Sequence, residues 1–139
     1  MMMEELIRKA MDAQKHAYAP YSNFVVGAAL LCEDGSIYTG CNIENASYPA
    51  TNCAERTAIF KAVSEGKRQF QALALVGNRK GEESNREFCT PCGICRQVLS
   101  EFVSEEFPIY AAKSVEDYRV YTMGELLPHC FSEKNLFPF

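Results

Sequence analysis

A chain of 139 residues is one domain by length, with room for a buried core. Hydrophobic residues at 47% and charged residues at 23% are the balance of an ordinary soluble globular protein. A net charge of −4, with no basic run longer than Lys67-Arg68 or Arg79-Lys80, disfavours a nucleic-acid partner, and no apolar stretch approaches the roughly 18 residues of a membrane span.

In chain order, residues 4–17 place Leu6, Ile7, Ala10, Ala13 and Ala17 at helical spacing opposite Glu, Arg and Lys, which predicts an amphipathic helix. The opening MMMEELIRKAM carries acids and bases and no apolar signal stretch. Ala19-Pro20-Tyr21 ends the helix, since the residue before proline is pushed out of helical conformation. Phe24–Cys32 is a near-continuous apolar run, expected to be a buried strand, and Gly27 within it marks a close backbone approach. Glu33-Asp34-Gly35 is a hairpin turn, and residues 36–43 form the returning strand.

A polar loop, 44–52, feeds a helix over 53–64 that Asn52 or Thr51 can cap and Gly66 closes. Residues 70–77 give a third strand, and 78–87 a charged excursion. Thr90 can cap a second core helix running to about Phe102, with Pro91 at its first position. Strands follow at 108–112 and 118–123, then a short helical turn over 124–127 before Pro128. The tail holds Phe131, Leu136, Phe137 and Phe139, too apolar for a free end. The order αββαβαββα implies one domain over 1–139, with a mixed five-stranded sheet between helical layers.

Seven cysteines and a CxxC spacing fit a reducing compartment and a metal site rather than a disulfide framework. The cytoplasm is the expected location. Cys92 and Cys95 lie three apart at a helix start and share a face, and Cys53 opens the other core helix. Both helix N-termini favour anionic sulfur. Three thiolates leave one tetrahedral corner of a zinc ion open, the catalytic pattern, and Glu55 is the natural proton carrier beside it. Cys89 completes a CxxCxxC run and keeps two alternatives in view. An iron–sulfur cluster would want a fourth cysteine at 99, where Leu99 stands, and a closed structural zinc would use Cys89 as a fourth ligand. Cys32, Cys41 and Cys130 read as small buried hydrophobes, and His16 and His129 lie far from the cysteine motifs. Arg56, next to Glu55, is expected to hydrogen-bond the sulfurs of Cys53 and Cys92 and drain the negative charge of an all-thiolate site.

Cys53-Ala54-Glu55 together with Pro91-Cys92-Gly93-Ile94-Cys95-Arg96-Gln97 resembles the zinc nucleoside and nucleotide deaminases. Tyr18-Ala19-Pro20-Tyr21-Ser22, residues 24–30, residues 40–46 and Glu125-Leu126-Leu127-Pro128 narrow the likeness to the small cytidine deaminases. The resemblance runs from about residue 4 to Ser132. It implies a three-layer α/β/α fold and hydrolysis of cytidine and deoxycytidine to the uridines with release of ammonia, a step of pyrimidine salvage. It places one zinc per chain on Cys53, Cys92 and Cys95, and the proton shuttle on Glu55. Nucleoside contacts fall on Phe24, Asn42, Glu44 and the Ala54 backbone. Small members are homotetramers with shared active sites, and Tyr48 and Phe131 match the positions that reach across. Cys89 and a longer excursion over 80–87 depart from the pattern, and the tail after Ser132 matches no motif. A relative acting on a blasticidin-type nucleoside, a zinc-stabilised binding module without turnover and a polynucleotide editor are the competing readings. The intact Phe24, Asn42 and Glu44 set weighs against the first, and the acidic balance against the last.

Overall fold

In a computed structural model that describes residues 2–137, the chain forms a mixed sheet between two helical layers. Its elements are α1 (Met2–Gln14), β1 (Phe24–Cys32), β2 (Ile37–Cys41), α2 (Ala54–Ser64), β3 (Phe70–Arg79), α3 (Gly93–Phe102), β4 (Pro108–Ala112), β5 (Tyr118–Thr122), α4 (Met123–Leu126) and α5 (Glu133–Leu136). The five strands run in the order β2-β1-β3-β4-β5. All neighbouring pairs are antiparallel except β3 with β4, the pair that α3 connects. A parallel pair needs such a crossover, and the βαβ unit supplies it.

Strand alternation assigns each face its helices. Ala28, Leu30 and Cys32 of β1, with Leu73 and Leu75 of β3, point to one side and pack with Ala58, Ile59 and Ala62 of α2 and Leu99 of α3. Ala29, Leu31, Ala72, Ala74 and Val76 point to the other and meet Leu6, Ile7 and Ala10 of α1. The α1 face is built mainly of small residues, so α1 sits close. A Cβ on Gly27 would lie 2.7 Å from the backbone nitrogen of Gln14 and closer still to the carbonyl oxygen of Ala10. Gly40 does the same for α2 on β2: a Cβ there would lie 2.6 Å from the nitrogen of Ala58, with the Ala54 carbonyl nearer yet. Both positions need glycine for backbone approach.

Several boundaries differ from those read in the sequence. α1 ends at Gln14 rather than near Ala17, because Tyr18 leaves the helix to donate to the carbonyl of Asn42 and accept from the N–H of Glu44. β2 stops at Cys41 rather than Ile43, and Ile43 pairs instead with Asn52, closing the loop between them. The core helices start one and two residues late, with Cys53 and Cys92 themselves at the N-cap positions in place of Asn52, Thr51 or Thr90. The tail forms the short α5, capped by Ser132, with Leu136 and Phe137 exposed; Phe139 lies outside the described residues.

Candidate metal centre and nucleoside site

Cys53 and Cys92 each terminate an extended segment immediately before a helix, and neither side chain caps its own helix. Their sulfurs are therefore free to face each other, 3.7 Å apart. Cys95, fully buried in the first turn of α3, completes a group whose three sulfurs all lie within 4.8 Å of one another. A tetrahedral zinc with bonds of about 2.3 Å holds its sulfurs about 3.8 Å apart. The spacing and the donor chemistry both fit zinc. Among the described residues this is the cluster with ligand geometry, and it excludes Cys89, Cys32, Cys41, Cys130 and both histidines. Cys89 lies instead against Gly77, next to the ring of Phe24. Its thiol pKa is raised by burial, with Glu55 adding to the effect.

The three sulfurs are electrostatically unequal. Interaction between the Cys53 and Cys95 thiols pulls the pKa of Cys53 down and, together with burial, pushes that of Cys95 up. Arg56 Nη2 donates to the Cys53 sulfur at 3.3 Å. Burial works against the Arg56 charge, and its interactions with Cys53 and Cys95 more than offset that, so its pKa is raised. The expected guanidinium–sulfur contact is made to Cys53, because Arg56 stands one turn into α2 beside it; no hydrogen bond to Cys92 forms among the described residues. Its Nε is buried with no partner among the described residues.

Glu55 sits in the first turn of α2 at 4% exposure. Burial lifts its carboxyl to about 7, and the neighbouring Cys53 sulfur adds to the shift. A carboxyl poised near neutrality can both take and give a proton at physiological pH. Ala54, fully buried, begins the same helix, so its N–H has no intrahelical acceptor.

The remaining expected contacts come from the start of β1, the loop after β2 and the tail. The Asn42 side chain is buried and bound at both ends to β1, accepting from the N–H of Val26 and donating to the carbonyl of Phe24, each at 2.9 Å. It is therefore a strut that fixes the start of β1 as well as a candidate ligand. Glu44 accepts from the N–H groups of Tyr21 at 2.9 Å and Ser22 at 3.1 Å, and from the Ser22 hydroxyl. These hydrogen bonds outweigh its partial burial and hold its carboxyl below the usual range. Glu44 also lines a cavity of about 200 Å³ with Tyr21, Ser22, Asn45, Tyr48 and Thr51. Phe24 is partly exposed, its ring over Gly77. Tyr48 and Phe131 are 69% and 60% exposed, outside the thiol cluster of their own chain.

Arg96 carries a structural load at this site that the sequence did not announce. It donates to the carbonyls of Pro91 and Leu126, each at 2.7 Å, and to the hydroxyl of Thr90 at 2.9 Å. One guanidinium thus pins the loop before Cys92 to α4. Its place right after Cys95 and the nearby Thr90 were visible signals, whereas the contact with Leu126 joins residues too distant for any local pattern. Gln97 similarly donates to the carbonyl of Phe131 at 2.9 Å, fastening the tail to α3.

The cytidine and deoxycytidylate deaminase zinc-binding region matches residues 2–111. The cytidine deaminase of Sporosarcina psychrophila is 52% identical over 136 residues, covering 98% of this chain and 96% of the relative. That of Halalkalibacterium halodurans is 47% identical over 131 residues, covering 94% and 95%. The solved structure of cytidine deaminase from Burkholderia pseudomallei superposes with a TM-score of 0.81 at 46% identity, over 91% of this chain and 97% of that one.

Proposed function

The chain belongs to the cytidine and deoxycytidylate deaminases, and from that premise we infer that Cys53, Cys92, Cys95 and Glu55 carry its reaction. The reaction is the zinc-dependent hydrolytic deamination of cytidine and 2′-deoxycytidine: water adds at C4 of the ring, the C4–N bond breaks, and uridine or 2′-deoxyuridine leaves with ammonia. The observation that carries this reading is the convergence of three sulfurs from the starts of α2 and α3, with a buried carboxyl two residues after the first of them.

When bound, zinc supplies Lewis acidity toward the attacking water. Cys53, Cys92 and Cys95 would hold it. Arg56, charged and hydrogen-bonded to Cys53, offsets the thiolate charge that would otherwise blunt that acidity. Glu55 accepts the water proton and delivers it to ring N3, which makes C4 more electrophilic. It then takes the second proton from the hydroxyl added at C4 and gives it to the departing amine as the C4 carbonyl forms, so one carboxylate serves both transfers. Asn42 and Glu44 are assigned to the sugar hydroxyls, Phe24 to the pyrimidine face, and the Ala54 backbone to the base. Glu44 stays ionised because Tyr21 and Ser22 hold its charge. An analogue without the sugar would forfeit the contacts assigned to these residues, and the site should reject it.

We assign the chain to a homotetramer in which Tyr48 and Phe131 complete a neighbouring active site. Their exposure beyond their own thiol cluster supports this, together with exposed Ile94, Leu136 and Phe137. A cytoplasmic role in pyrimidine salvage accords with a CxxC pair at metal-ligand spacing and with seven cysteines that are all free thiols. The direct test is the ultraviolet absorbance of cytidine with chelator-treated and zinc-restored protein. Loss and recovery of turnover is expected; turnover by metal-free protein would overturn the reading. Light scattering should give the mass of four chains.

A further inference from the structure

Arg86 lies in the charged excursion between β3 and α3, away from every residue assigned a role above. Its guanidinium reaches back to Gln14 Oε1 at 2.8 Å, Asn78 Oδ1 at 3.0 Å and the Lys113 carbonyl at 3.4 Å. Gln14 and Asn78 are 5% and 2% exposed. Both are neutral amides, so Arg86 is held by oxygen dipoles. Burial lowers its pKa, and only Glu83 works against that. Arg86 also fixes how the two amides are turned. With their oxygens committed to it, Gln14 Nε2 donates to Asn78 Oδ1 at 2.6 Å and to the carbonyl of Val25 at 2.9 Å.

Val25 stands between Phe24 and Val26, the two residues whose backbone groups hold the Asn42 amide. It also pairs with Asn78 across the β1–β3 ladder, one step from the Gly77 on which the Phe24 ring rests. A connected path therefore runs from Arg86 through two buried amides to the first residues of β1. We propose that Arg86 is a positioning residue: by orienting Gln14 and Asn78 it sets the start of β1, and with it Phe24 and Asn42, for nucleoside binding. This goes beyond the deaminase reading but rests on its assignment of Phe24 and Asn42 as substrate contacts. Arg86 touches no reacting atom, so its removal should weaken substrate binding and leave the chemical step alone.

The experiment compares Arg86→Met with the parent enzyme for cytidine turnover and zinc content. KM should rise about 3- to 30-fold, the range that coupling through a packed polar network carries, with kcat within about 2-fold and zinc unchanged. In a Phe24→Ala background the KM effect should shrink severalfold, because the element being positioned is gone. Should Arg86→Met fold poorly, Gln14→Glu serves instead. It keeps oxygens for Arg86 but removes the donor to Val25, and it should raise KM in the same way. An unchanged KM in the folded variants, or a penalty that simply multiplies with Phe24→Ala, would overturn the proposal. Failure of the deaminase reading would show differently, as absent turnover by the zinc-loaded parent.

Discussion

Gly40→Ala tests how closely catalysis depends on the seat of α2. The new Cβ would lie 2.6 Å from the nitrogen of Ala58 and 2.9 Å from Thr57 Cβ, where ordinary contact begins near 3.4 Å. The nearest atoms, the Ala54 carbonyl oxygen first, are helix backbone, which cannot swing aside as a side chain can, so α2 must lift by roughly 1 Å. Cys53 and Glu55 ride on that helix while Cys92 and Cys95 stay with α3. Misplacement on the order of 1 Å can cost about 100-fold in rate. Overpacking of this kind should also cost about 1–3 kcal/mol in stability. The control is Gly27→Ala, which drives a comparable clash into α1 on the opposite face of the sheet. Thermal melts should show both variants destabilised, while cytidine absorbance assays and metal analysis should show kcat or zinc occupancy falling mainly in Gly40→Ala. Equal loss of activity per chain in the two, or full kcat and zinc in Gly40→Ala, would refute the argument that α2 alone positions this half of the site.

Glu55→Gln should keep one zinc per chain by metal analysis and lose about 10²- to 10⁴-fold in kcat, since the amide cannot shuttle a proton. Cys89→Ala should also keep one zinc per chain, because its sulfur lies outside the ligand cluster; loss of metal would promote it to a ligand. Glu44→Ala should mainly raise KM, and an unchanged value would argue against a sugar contact. The pH dependence has a definite sign. Hydrogen bonds from Ser22 and Tyr21 outweigh partial burial and hold the Glu44 pKa below the ordinary carboxylate range, so its contribution is present above that range and is lost only as pH falls through the lower, folded pKa. The Glu44 contribution to KM, read as the difference from Glu44→Ala, should therefore hold constant from pH 8 to about 5.

Strand and helix order were legible because the patterns are local. The apolar run of β1 reads as a strand buried on both faces, and it has α1 on one side and α2 on the other. The cysteine spacing at 92 and 95 sufficed to put two sulfurs on one face of α3, since the helical period does that unaided. Where local reading missed, a distant partner had intervened. Tyr18 leaves its helix because Asn42 and Glu44 claim its backbone groups, and Asn42 leaves β2 with its amide bound to Phe24 and Val26.

The candidate thiols and carboxyl, and the order of elements, could be read along the chain, since side-chain type and periodicity depend only on neighbouring residues. Tertiary structure alone decided that Cys53 and Cys92, 39 residues apart, would face each other at 3.7 Å, because that distance depends on how closely α2 and α3 pack against the same sheet. It likewise decided the reach of Arg96 to Leu126 and of Arg86 to Gln14, bonds that form only when folding brings far-separated carbonyls and amides out of water together.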